Sequence, residues 1–197
     1  MQDEHGFIWK AMLDTIDTDL AGRRVLDAGC NRGGFLRLLV DAERIGEGYG
    51  YDPASGAIAD ARRLAGDRPL TFEVAGTVPD AWDGFDVAFS HEVLYLLGDL
   101  PTHAARLFGA MKPSGSYFAV MGVHGGSPMM SSWHAECAVE LGLPRLYELD
   151  EVARVFEDAG FTVSVANLKF GFVPVSAHRH GHDHRRDLLA WLDYYSR

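Results

Sequence analysis

The stretch VLDAGCNRGGFL, residues 25–36, sets an acid at the end of an apolar run, then a glycine-dense turn, then a second apolar run. Strand, glycine turn, helix is a common way to hold a nucleotide-like ligand. Three ligands compete for such a turn. A P-loop needs a lysine followed by Ser or Thr to meet phosphates and magnesium, and this turn has neither. A nicotinamide fingerprint needs G-x-G-x-x-G so that a pyrophosphate can approach the helix N-terminus. Here the turn reads DAGCNRGG, the first glycine is missing, and Asp27 stands just ahead. A carboxylate there repels a pyrophosphate and welcomes an ammonium group, which favours a ligand with an amino-acid end. A second acid, Asp52, ends the next apolar run. At the carboxyl end of a strand beside the first, it lies where an open α/β sheet forms its ligand crevice. A carboxylate at that point suits two ribose hydroxyls as donors. An amino acid on one side and a ribose on the other describe S-adenosylmethionine.

The elements that must position these groups follow from hydrophobic period. Residues 5–17 predict an amphipathic helix with a stripe of Phe7, Ile8, Ala11, Met12 and Ile16. Residues 24–28 predict a buried strand, 35–42 a helix, and 48–51 a second strand. Pro53 suits the first turn of the following helix, which Ile58, Ala61, Leu64 and Ala65 line and Gly66 caps. Residues 70–75 and 85–90 predict the third and fourth strands. Residues 100–111 predict a helix with Lys112 in its last turn and Pro113 as its stop. A fifth strand is predicted over 116–123, a helix capped by Asp150 and ended by Gly160, and a sixth strand over 161–166. Residues 170–175 are candidates to continue or pair with that strand, and 187–195 read as helical. Strands alternating with helices predict an α/β fold, a Rossmann-like doubly wound, mostly parallel sheet with helices on both faces.

At 197 residues and 47% hydrophobic content, the chain suits one domain with a proper core. The expected layout is an N-terminal helix over 1–20, a cofactor-binding half over 21–123, a substrate lid over 124–149 and a C-terminal part over 150–197. A formal net charge of −10 disfavours a nucleic-acid partner. Two cysteines, Cys30 and Cys137, make no disulfide framework. The N-terminus carries acids where a signal peptide carries positive charge, and no apolar run approaches the ~18 residues of a membrane span. The expectation is a cytoplasmic protein without a membrane partner.

The order and spacing of several motifs resemble class I S-adenosylmethionine-dependent methyltransferases. VLDAGCNRGGFL is similar to that family's first motif, and GYDPA at 50–54 to its second. FDVAFSHEVLYLL at 85–97 resembles its fourth-strand motif, and LFGAMKPSGSYFAV at 107–120 the helix, turn and fifth strand. ELDEVARVFEDAGFTV at 148–163 resembles the late helix and sixth strand. The resemblance spans roughly residues 20–165. It implies cofactor contacts from Asp27, Gly29, Cys30, Asn31, Gly33 and Phe35 in the first motif, and from Asp52 and Pro53 in the second. Gly76 and Thr77 stand where the family often has an acid for the adenine amino group. Ser90, His91 and Tyr95 follow the fourth strand, which in the family lines both cofactor and acceptor.

Two departures bear on this pattern. Asn31 replaces the family's middle glycine, but Asn tolerates positive φ better than other side chains. Thr77, or a backbone carbonyl near Gly76, replaces the adenine-binding acid. Cys30 reads as a small buried filler rather than a nucleophile, since methyl transfer needs no covalent step. Gly33 and Gly34 allow close helix packing and close ligand approach.

For chemistry, His91 is the first candidate base, with Glu92, His124 and His134 as alternatives. Met129, Met130 and Trp133 make an adaptable apolar wall in the lid segment. The alternating His178, His180, His182 and His184 lack the cysteine or acid pair that completes a metal site, so they read as a solvated loop and no metal is expected. The resulting expectation is methyl transfer to N or O (or C) of a small molecule. Its rivals are a non-catalytic S-adenosylmethionine-binding subunit, a nicotinamide-dependent oxidoreductase and a protein methyltransferase. Oligomeric state is not legible.

Overall fold

The computed structural model describes residues 2–122, 134–136, 138–139, 146–166 and 168. Helix α1 (Gln2–Thr15) precedes strand β1 (Arg24–Ala28), and the glycine turn leads into α2 (Gly34–Asp41). Then follow β2 (Glu47–Asp52), α3 (Ser55–Ala65), β3 (Leu70–Val74) and β4 (Phe85–His91). A single 3-10 turn (Leu94–Leu96) joins β4 to α4 (Leu100–Ala110), which runs directly into β5 (Met111–Val120). Helix α5 spans Leu149–Asp158. The sheet order is β3-β2-β1-β4-β5 with every pairing parallel. This is the expected Rossmann-like α/β sheet, and its strand order reverses between β1 and β4.

Two apolar layers sandwich the sheet. Val25, Val87 and Phe89 face Met12 of α1, Leu36 and Leu39 of α2, and Ile58 and Ala61 of α3. Leu26, Ala28, Phe85 and Ala88 face Ala104 and Leu107 of α4 and Val152 and Phe156 of α5. Successive residues of a strand point to opposite faces, so β1 must be apolar on both sides. Val25, Leu26 and Ala28 are fully buried accordingly. Asp27 is the exception in that run, and only 4% of it is exposed.

Several local expectations change. Residues 161–166 form no strand. Phe161 instead packs edge-on to Phe108 at 5.0 Å and tilts against Phe156 at 5.7 Å, while Val163 leans on the same core. Residues 161–164 alternate in burial as a strand would, but among the described residues no neighbouring backbone supplies a ladder. Among the described residues β5 is therefore an edge. Lys112 lies on β5, not in the last turn of α4, and its ammonium pairs with Asp86 at 2.8 Å. The same Asp86 accepts from the Arg24 N–H at 3.0 Å. Residues 113–115 belong to β5, whose register against β4 shifts between Phe85 and Val87. Asp99 caps α4 by accepting from Thr102 N–H at 3.0 Å. Asp150 sits inside the first turn of α5 rather than capping it, and pairs with Arg154 one turn on. Pro53 precedes α3, whose N-cap is Ala54. The expected elements at 170–175 and 187–195, and the cluster His178 to His184, lie outside the described residues.

Candidate functional site

The carboxyl ends of β1 and β4 meet where the strand order reverses, and the glycine turn crosses that point. Three residues of the turn have left-handed backbone, Gly29 at φ 77°, Asn31 at φ 47° and Gly33 at φ 66°. Asn31 thus takes the conformation expected of the glycine it replaces. Its amide oxygen accepts from the Arg32 N–H at 2.8 Å, which helps hold that conformation.

The direction of the turn's amides decides what it can hold. The N–H groups of Gly29 and Cys30 both donate to the Tyr51 carbonyl, at 2.9 and 3.0 Å. Asn31 N–H donates to Asp52 Oδ2 at 3.0 Å, and Gly33 N–H to the Cys30 carbonyl at 2.8 Å. With Arg32, five successive N–H groups from residue 29 to 33 are already satisfied within the protein. A phosphate cradle aims such donors at its ligand instead. This turn offers a carboxylate and glycine surface, which suits a cation.

Two acids stand at that surface. Burial, reinforced by the nearby Asp52 charge, pushes the Asp27 carboxyl up to about 7. No cation among the described residues relieves it, so an incoming ammonium would. Asp52 is also pushed up by burial, against the pull of the N–H groups of Ala54 and Asn31. Its Oδ1 accepts from Ala54 N–H at 2.9 Å. A carboxylate has about four lone-pair sites, so two remain for outside donors. Thr77 Oγ1, just beyond β3, is buried with no hydrogen-bond partner among the described residues. Gly76 beside it borders open space. These features fit a ligand with an ammonium group, a vicinal diol and a further polar ring edge.

Other anticipated residues also make contacts within the protein. Phe35 is a core ring, edge-on to Phe89 at 5.1 Å and tilted on Trp9 at 5.7 Å. The Ser90 hydroxyl is buried and pairs with the Tyr117 hydroxyl at 2.5 Å. The Cys30 thiol is buried against Gly50, where an added Cβ would come within 2.7 Å of the sulfur. Burial pushes that thiol well above its ordinary range, so it is an inert filler. A Cβ on Gly33 would collide with the Phe72 ring. Tyr95 is buried on the 3-10 turn.

At the far end of β4, His91 is half-buried, and Glu92 has left-handed backbone at φ 57°. Burial raises the Glu92 carboxyl, opposed by a hydrogen bond from the Gly122 backbone. His134 lies on the helical residues 134–136, and its buried Nε2 has no hydrogen-bond partner among the described residues. His124, Met129, Met130 and Trp133 lie outside the described residues.

One contact was invisible in the sequence. A Cβ added to Gly29 would sit 2.5 Å from Cγ2 of Val93. The segment after β4 therefore packs directly on the glycine turn, and Gly29 is needed as much for that approach as for its φ. Only the pairing of distant segments reveals this.

The sequence profile of a methyltransferase domain matches residues 5–164. The chain belongs to the class I S-adenosylmethionine-dependent methyltransferase family. Its curated relatives include phosphoethanolamine N-methyltransferase 1 of Triticum aestivum, 28% identical over 162 residues, covering 80% of this chain and 32% of the relative. Another is tRNA U34 carboxymethyltransferase of Methylococcus capsulatus, 32% identical over 114 residues, covering 54% and 34%. This chain thus spans about a third of the length of the curated relatives it matches. Among solved structures, a Haloferax volcanii methyltransferase complexed with the Trm112 methyltransferase activator superposes with TM-score 0.74 at 21% identity. That match covers 100% of this chain and 88% of the other, and it establishes the shared fold.

Proposed function

We propose that this methyltransferase-family chain binds S-adenosylmethionine at the β1–β4 crevice and transfers its methyl group to a small-molecule acceptor. The observation that carries this reading is the inward use of the five turn amides beside the Asp27 carboxylate, which no cation among the described residues compensates. That arrangement disfavours a dinucleotide pyrophosphate and favours an amino-acid ammonium.

Bound there, the cofactor supplies an already activated methyl group on its sulfonium. Asp27 accepts from the ammonium, and Asp52 accepts from the ribose hydroxyls while holding the turn through Asn31. The turn over residues 29–33 passes the methionine part with its backbone, since the side-chain faces of Gly29 and Gly33 are taken up by Val93 and Phe72. Thr77 offers its hydroxyl toward the adenine edge. The 3-10 turn with Tyr95 closes the side toward the acceptor. The protein's main contribution is alignment and exclusion of water. A base is needed only where the acceptor must lose a proton, and His91 and Glu92 are the groups at that end with the capacity.

Support for a small acceptor comes from the net charge of −10, which opposes a polyanionic partner. Similarity to a tRNA-modifying relative keeps RNA as the alternative to test. Among the described residues no helix is long and apolar enough to cross a membrane. The test is formation of S-adenosylhomocysteine from S-adenosylmethionine in the presence of either a small-molecule extract or bulk tRNA. Product with the extract alone is the expected result. Product with tRNA alone overturns the small-molecule assignment.

A further inference from the structure

We infer that Gly50 and Phe72, both buried in the sheet, are positioning residues for the glycine turn and so for the ligand it holds. The inference rests on the reading of that turn as an S-adenosylmethionine site, and it adds two residues that act on the site through Cys30 and Gly33.

Strand pairing sets Asp27 of β1, Gly50 of β2 and Phe72 of β3 in one row across the sheet. Directly paired residues point to the same face, and the Phe72 ring lies in the apolar layer with Ile58 and Ala61. The middle of the row has no side chain, and its place is filled from two sides. Cys30 enters from the turn, with its sulfur 2.7 Å and its Cβ 2.8 Å from where a Gly50 Cβ would stand. The Phe72 ring enters from β3, with Cδ1 at 2.9 Å from the same point. The far edge of that ring reaches the turn itself. Its Cε1 lies 2.6 Å from where a Cβ on Gly33 would stand. Carbon atoms in ordinary contact are about 3.5–4.0 Å apart. One ring therefore supports the turn at Gly33 and bears on β2 at Gly50, and the Cys30 side chain occupies the gap between them.

Cys30 is well placed to pass a displacement on. Its N–H donates to the Tyr51 carbonyl at 3.0 Å, and its carbonyl accepts from Gly33 N–H at 2.8 Å. Its thiol faces the Asn31 carbonyl at 3.6 Å, and Asn31 N–H donates to Asp52 Oδ2 at 3.0 Å. A methyl group at position 50 pushes on Cys30 and Phe72 together, and the shift reaches Asn31, Gly33 and the Asp52 carboxylate. Gly50 lies within a regular strand and has no positive φ, so alanine there brings no left-handed strain. The substitution acts through packing alone.

The backbone of Phe72 is anchored to match. Among the described residues β3 is an outer strand of the sheet. Pro69 and Ala75 bond to β2, so by the two-residue period the Phe72 carbonyl faces away from the sheet. It accepts from Nε and Nη2 of Arg62 on α3, at 3.0 and 2.8 Å. Arg62 thus supplies the bonds that a further strand would make, at the residue whose ring carries the turn.

Wild type, Gly50→Ala, Gly50→Ala with Cys30→Gly, Phe72→Leu and Leu107→Val are titrated with S-adenosylhomocysteine by calorimetry. Urea unfolding followed by circular dichroism gives the stability of each. Leu107 is fully buried in the other apolar layer, so its variant is destabilised at a distance from the turn. The expected result is that Gly50→Ala and Phe72→Leu each weaken binding about tenfold or more, while Leu107→Val stays within about threefold of wild type despite its lower stability. Adding Cys30→Gly to Gly50→Ala empties the space that the new methyl invades, and recovers about threefold or more of the lost affinity. If the alanine variants do not fold, Phe72→Leu against Leu107→Val decides alone. Affinity in Phe72→Leu within about threefold of wild type, a double variant that binds no better than Gly50→Ala, or equal weakening by Leu107→Val overturns the proposal. Failure of wild type to bind S-adenosylhomocysteine instead overturns the underlying cofactor reading, so the two failures are distinguishable.

Discussion

Replacing Asp52 by Ala lowers the affinity for S-adenosylmethionine by ~10²-fold or more. The side chain does two things at once. Its two oxygens accept from Asn31 N–H at 3.0 Å and Ala54 N–H at 2.9 Å, tying the glycine turn and the start of α3 to the end of β2. On the proposed reading the remaining lone pairs accept from the ribose hydroxyls. Each hydrogen bond to a charged acceptor is worth about 1.5–3 kcal/mol. Losing two on the ligand side alone is roughly 3 kcal/mol, or ~10² in affinity. Without its anchor, Asn31 also has less reason to remain at φ 47°. Asp52→Asn keeps one acceptor oxygen and falls between wild type and Ala. Titration of both variants with S-adenosylhomocysteine, with circular dichroism to confirm the fold, measures this. An affinity within threefold of wild type in Asp52→Ala removes the residue from the ribose site.

The second large effect is a pH dependence set by Asp27. In the free protein its carboxyl is raised from an ordinary 3.8 to about 7, by burial first and by the Asp52 charge second. Binding an ammonium requires the ionised form. Below about 7 a proton must leave before the ligand can bind, so affinity falls by up to about tenfold per pH unit. Above that value it levels off. Asp27→Asn flattens the profile and lowers the plateau.

The same shift has the opposite consequence for stability. A folded-state carboxyl raised above its unfolded value favours the protonated form. The unliganded fold therefore loses stability as pH rises from about 4 to about 7, and does not regain it above. Asp27→Asn carries no such cost, so at pH 8 it resists urea better than wild type while binding cofactor worse. A binding profile that is flat in wild type, or a variant less stable than wild type at pH 8, contradicts this assignment.

Strands β1, β2 and β4 were legible because their apolar runs are short, buried on both faces and bounded by glycine, proline or acid. Helices α3 and α4 were legible from their stripes, since Ile58, Ala61 and Leu107 recur at helical spacing and all are fully buried. The turn was legible down to Asn31, because few residues besides glycine sit comfortably at positive φ. What failed did so where the partner is distant in sequence. Residues 161–166 alternate like a strand, yet a strand requires a neighbour's backbone, and Phe161 found aromatic rings instead. Lys112 read as a helix end because its strand begins with no intervening loop.

At the site, the types of Asp27 and Asp52 carried the ligand argument, but the direction of the amides could not be read from residue order. The packing of Val93 on Gly29 was likewise hidden, since the two are joined only by the β1–β4 pairing. Phe35 and Ser90 illustrate the converse. Motif position suggested ligand contacts, while their packing on Phe89 and Tyr117 needed the folded chain to be seen.

The most direct test of the account is calorimetric titration of the wild-type protein with S-adenosylmethionine and S-adenosylhomocysteine, with NADH as control. Micromolar binding of the first two and none of NADH is the result predicted from a turn whose amides face inward and whose carboxylates face the ligand. Binding of NADH with no response to S-adenosylhomocysteine would contradict it, and the crevice would then be a dinucleotide site.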